Sequence, residues 1–133
     1  MLVGVADTHA LIWYRHADPR PSPAAKDFME VAATTGDQVG LSSITLIVMV
    51  YLIEKARIAS ESFNRLAAVL EESQGVLVEI VPDVRIARAL SRVDPAAVPD
   101  MPDHIIAAAA LSARIPLITR DGKIRLSGLA TIW

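Results

Sequence analysis

Leu2-Val3-Gly4-Val5-Ala6-Asp7-Thr8 sets a short, uniformly apolar run directly before an acid. A run without polar alternation is the pattern of a strand buried on both faces, as in a parallel sheet. Asp7 and Thr8 carry the side-chain oxygens to cap a helix that runs through Tyr14. The same order, apolar strand then acid, returns far along the chain in Pro116-Leu117-Ile118-Thr119-Arg120-Asp121-Gly122, where Asp121-Gly122 reads as a turn pair.

Helices and strands alternate between these two strands. Asp18 to Pro23 is a proline-rich loop, and Ser22 caps a helix that opens on Pro23 and runs to about Thr34. Gly36-Asp37 ends it, and Gln38 to Leu41 is a second strand. Ser42 or Ser43 starts a long helix through Ile58. The middle of that helix, Leu46 to Ile53, is apolar on every side, which predicts burial almost all round. Glu61 to Ser73 is an amphipathic helix with Phe63, Leu66, Val69 and Leu70 on one face. Val76 to Val81 is a strand closed by Pro82, Val84 to Val93 a helix, and Pro95 to Pro102 a loop. Asp103 caps a helix from His104 to Ala113, whose Ala107 to Ala110 stretch permits close packing, and Ala130 to Trp133 is a last strand. Such alternation predicts an α/β fold, a parallel sheet with helices on both faces.

The 133 residues suit one domain spanning 1–133. With 53% hydrophobic residues and a mean hydropathy of +0.40, the chain can bury a full core and keep apolar surface for a partner. The formal net charge is -2, so contact with nucleic acid has to be local rather than a bulk electrostatic effect. Aromatics are only 5%, which argues against base stacking as the main contact. The absence of cysteine excludes disulfides and thiolate metal sites. Residues 1–7 lack the basic start of a signal peptide, and the apolar run from Leu46 to Ile53 is far short of the roughly 20 residues a spanning helix needs. A soluble cytoplasmic protein is expected.

Active sites of open parallel sheets lie beyond the carboxyl ends of the strands. Asp7 and Asp121 both follow such ends, and Asp103 opens the helix leading into the Pro116 to Thr119 strand. A right-handed crossover brings all three to one edge. Carboxylates held together repel, and a hard divalent cation with oxygen ligands relieves that repulsion. Such a cation activates water for in-line phosphodiester displacement. Taken singly, Asp7 and Asp103 also read as helix caps and Asp121 as a turn residue; Asp100 reads as a loop carboxylate that could support Asp103.

Three segments together resemble the PIN-domain toxins of VapC type: Asp7 to Trp13, Pro102 to Ala108, and Leu117 to Asp121. Ser42 to Leu46, Glu54 to Ile58 and Thr131-Ile132-Trp133 are also similar to that family, so the likeness runs nearly the whole chain in order. It implies a three-layer α/β/α fold with a central mostly parallel sheet. It further implies a Mg²⁺- or Mn²⁺-dependent endoribonuclease, paired with a small antitoxin and forming a homodimer. Asp7, Asp103 and Asp121 carry over as metal ligands and catalytic acids.

One position departs from that resemblance. The family places a glutamate two residues after the leucine of Ser42-Ser43-Ile44-Thr45-Leu46, and here that residue is Val48. Glu54 does not replace it: six positions along a helix amount to about 600° of rotation and about 9 Å of rise, which turns it about 120° off the original face. The chain as written is therefore expected to have low activity, and the alternative function is a PIN-fold binding protein for antitoxin or RNA. A phospho-acceptor receiver domain fits less well, because the first strand delivers a single aspartate and Lys123 follows the turn instead of ending a strand.

Among the remaining polar residues, Arg120, Lys123 and Arg125 form the best local basic patch for a phosphate backbone, or equally a set of solvated loop charges. His9, His16 and His104 lack the paired spacing of a zinc site. His104, beside Asp103, could touch RNA phosphate or simply face solvent. Thr8 and Thr119 neighbour the acids and could hydrogen-bond ligands or water.

Overall fold

In the computed structural model, which describes residues 1–15, 22–72 and 75–133, five strands form one sheet in the order β3-β2-β1-β4-β5, with every pair parallel. The strands are β1 (Leu2–Ala6), β2 (Gln38–Ser42), β3 (Leu77–Ile80), β4 (Leu117–Ile118) and β5 (Thr131–Ile132). Helices α1 (Thr8–Arg15), α2 (Pro23–Thr35), α3 (Ser43–Glu54), α4 (Ser60–Glu71), α5 (Val84–Ala89), α6 (Met101–Ala113) and α7 (Gly122–Arg125) connect them. The expected proline-rich loop from Asp18 to Pro21, His16 and the expected helix end at Ser73 lie outside the described residues.

Successive strand residues feed opposite layers, as a pleated strand requires. Val5 and Leu117 pack against α5 and α6, while Ala6, Ile118, Val39, Leu41 and Leu77 pack against Leu11, Met29, Met49 and Leu66 of α1 to α4. Both sheet faces are thus covered, which explains why the strands read as continuous apolar runs. Ile106 to Ala110 of α6 are all buried, the small side chains letting the helix approach the sheet closely.

Local chemistry sets the helix ends. Ser22 caps α2 by accepting the Ala25 N–H at 3.2 Å, and Gly36 ends it in the left-handed region at φ 78°. Ser42 caps α3 by accepting the Ile44 N–H at 3.3 Å.

Several expectations are corrected. The long helix stops at Glu54 instead of Ile58, because Lys55 caps it and Ala56 turns left-handed at φ 56°. Its apolar middle is not buried all round: Met49 is buried, but Ile47, Val50 and Tyr51 are 62%, 42% and 57% exposed. These three stand at i, i+3 and i+4 and form one exposed apolar stripe. The expected Val84 to Val93 helix is a short α5 followed by a 3₁₀ turn, Leu90–Arg92. Asp103 does not cap α6; Asp100 does, accepting the Asp103 N–H at 3.2 Å, and Asp103 sits in the first turn. The Asp121-Gly122 pair opens a helix in place of a plain turn. No helix among the described residues is long and apolar enough to cross a membrane.

Candidate active site

The β1–β4 register decides what emerges at the carboxyl edge of the sheet. Ala6 pairs with Ile118, so the next residues, Asp7 and Thr119, leave their strands side by side. The Asp7 N–H donates to Ile118 O at 3.0 Å, and the Thr119 N–H donates to Ile132 O at 3.1 Å. Both residues are buried, Thr119 completely. Asp7 caps α1, its Oδ1 accepting the Ala10 N–H at 2.8 Å, and the Thr119 side chain stands beside its carboxylate and favours the charged form. Thr119 Oγ1 accepts the Asp121 N–H at 3.1 Å. A single hydroxyl thereby holds the backbone that presents the last acid, next to the first.

Asp121 caps α7, its Oδ1 accepting from the Lys123 N–H at 2.9 Å and the Ile124 N–H at 3.2 Å. Asp103 arrives from the first turn of α6, held there by the Asp100 cap. Asp7, Asp103 and Asp121 line one cavity of about 430 Å³ together with His9 and Arg120.

Crowding shows in the protonation equilibria. Burial pushes the Asp7 carboxyl above its ordinary range, outweighing its hydrogen bonds and the nearby His9, with Asp121 adding to the rise. Asp103 is pushed up to about 6, first by burial, then by the charges of Asp100, Asp7 and Asp121. Asp7 and Asp103, buried and raised in a shared cavity, suit a hard cation. Among the described residues, however, no three carboxylate or imidazole groups stand together as a ready-made ion site. Asp7 and Asp121 each already commit one oxygen to a helix cap, and no residue of α3 lines the cavity. Val48 is half-buried on that helix, and Glu54 is exposed at its far end. The donor type fits a divalent cation; the donor number is short.

Other residues sort themselves around this centre. Arg120 lines the acidic cavity and Lys123 an adjoining groove, while Arg125 lines neither. Thr8 turns from the acids to pair with Thr45 of α3, Oγ1 to Oγ1 at 3.1 Å. His104 faces inward: Nδ1 lies 3.0 Å from Val98 O and Nε2 2.8 Å from Leu90 O, so it braces the loop before α6 and is unavailable to RNA. His9, weighed from sequence only as a zinc ligand, stands at the cavity wall; its position two residues after Asp7, on the exposed side of α1, is the signal that places it there.

Residues 5–127 match the family described as PIN domain. Among solved structures, the chain is similar to VapBC2 from Rickettsia felis bound to a DNA fragment from its promoter, at 17% identity and TM-score 0.70, over 98% of this chain and 97% of that one. It is similar to DNA-bound VapBC from Salmonella typhimurium at 20% identity and TM-score 0.67, again over 98% and 97%. A toxin–antitoxin complex from Klebsiella pneumoniae matches at 26% identity and TM-score 0.59, over 88% of this chain and 85% of that chain. No curated protein sequence matches the chain significantly.

Proposed function

The chain belongs to the PIN-domain family, and on that premise we propose that it is the toxin of a toxin–antitoxin pair, a metal-dependent endoribonuclease. It is one domain over residues 1–133 that acts in the cytoplasm on single-stranded or looped RNA. The observation that carries this reading is the convergence of Asp7, Asp103 and Asp121 on one cavity at the carboxyl edge of a parallel sheet. Its support from known structures is the shared fold with VapBC complexes.

In this mechanism Asp7, Asp103 and Asp121 would hold Mg²⁺ or Mn²⁺, which would supply a hard Lewis acid for water activation and for charge on the phosphodiester. The Ala10 N–H, donating to Oδ1, orients the Asp7 carboxylate before any ligand arrives, with buried Thr119 beside it. Arg120 brings positive charge to the cavity wall, where a phosphate enters an otherwise acidic space. Val48 leaves the set one carboxylate short, so activity is low. The exposed stripe of Ile47, Val50 and Tyr51 supports a protein partner, the antitoxin or a second copy in a homodimer.

A second reading has one observation in its favour. The cavity has no carboxylate from α3, which suits a PIN-fold protein that binds antitoxin or RNA without cutting. Calorimetric titration with Mn²⁺ separates the two. The nuclease reading expects a saturable site that Asp7→Asn and Asp121→Asn abolish; a folded chain that takes up no Mn²⁺ leaves the binding protein.

A further inference from the structure

A groove of about 660 Å³ adjoins the acidic cavity and shares Asp103 and Asp121 with it. One wall is the loop before α6, with exposed Pro99 over buried Val98; the other is α7 and the residue after it, with Leu126 over buried Ile124. Leu126 is 89% exposed. Asp100 and Lys123 add charge at the groove's edge, while the exposed apolar surface of Pro99 and Leu126 suits the flat apolar face of a nucleobase. The volume falls within the roughly 300–1,000 Å³ usual for small-molecule sites.

We propose that this groove is a nucleobase subsite, taking the base of the nucleotide next to the phosphate at the acidic cavity. The proposal rests on the ribonuclease reading above. Because Asp103 and Asp121 line both spaces, a strand whose phosphate meets the acids presents its neighbouring nucleotide at the mouth of the groove. Lys123, exposed on the groove, faces the backbone of that nucleotide with a positive charge. Among the described residues no aromatic lines the groove, so the base packs against Pro99 and Leu126 and gains less than it would by stacking.

Two substitutions test the groove without touching the core. Leu126→Ala removes an exposed wall, and Gly122→Leu fills the space, since an added Cβ at Gly122 meets nothing within 4 Å. Fluorescence anisotropy in Ca²⁺ compares a labelled oligouridylate of about ten nucleotides with an abasic ribose-phosphate chain of the same length, a size typical of single-strand sites. The base-bearing strand is expected to bind about tenfold tighter to the unaltered chain, a modest value for one base without aromatic stacking. Both substitutions should shrink that ratio to about threefold or less while leaving abasic affinity unchanged. Equal binding of the two strands, or a ratio that both substitutions leave intact, overturns the subsite but not the nuclease, and assigns the groove to a protein segment. Failure to bind either strand overturns the subsite and the RNA reading together.

Discussion

The side chain of Thr119, with no exposed surface, receives the Asp121 N–H at 3.1 Å and stands beside the carboxylate of Asp7. It therefore positions two of the proposed cation ligands. Thr119→Val should lower Mn²⁺ affinity about 10- to 100-fold, the usual effect of removing a group that orients a metal ligand. Thr119→Ser, which keeps the hydroxyl, should recover most of it. Titration of both variants checks this, and a valine variant that binds normally would limit Thr119 to packing.

Asp103 couples stability to pH. Its carboxyl is pushed up from the ordinary 3.8 to about 6 in the folded chain. The folded state therefore binds that proton more tightly than the unfolded state, and stability falls as pH rises across this window. Asp83 acts in the opposite sense, held below its ordinary value mainly by accepting the Ile86 N–H. The difference between the chain and Asp103→Asn isolates the effect: thermal melts from pH 4 to pH 6, about the span of the shift, should show the asparagine variant gaining on the parent. Saturating Mg²⁺, which favours the ionised acid, should remove the difference in slope.

The buried Thr8–Thr45 pair fastens the start of α1 to α3. Thr8→Val strands the Thr45 hydroxyl away from water, and chemical denaturation should show a loss of about 1–3 kcal/mol. Thr45→Val should cost a similar amount, and the double variant clearly less than the sum. Additive losses would mean that the hydroxyls do not depend on each other.

Ala56 ends the turn after α3 in the left-handed region at φ 56°. An L-residue with a Cβ pays about 1–2 kcal/mol there, so Ala56→Gly should stabilise the chain by up to about 1 kcal/mol once the extra freedom of unfolded glycine is counted. A lower melting temperature for the glycine variant would contradict this.

Strands buried on both faces were legible because apolar runs bounded by turn residues have few other readings, and β1, β2 and β4 stand close to where those runs lie. The placing of Asp7 beside Thr119 was not legible, because it depends on register, which two short strands do not encode locally. The capping of α6 went astray because Asp100 and Asp103 both precede apolar helix sequence, and Pro102, acceptable in a first turn, looked like a boundary. The exposed face of α3 escaped because an all-apolar helix carries no sequence signal separating core from docking surface. Val48 was visible as a missing acid only through family resemblance.

RNA cleavage in Mg²⁺ or Mn²⁺ by the chain, by Val48→Glu, and by Val48→Glu with Asp7→Asn decides whether the acidic set at the sheet edge cuts RNA. Faint cutting by the chain, strong cutting by Val48→Glu, and none once Asp7 is also replaced are the expected results. Folded variants that all leave the RNA intact, or cutting that survives loss of Asp7, would contradict that role.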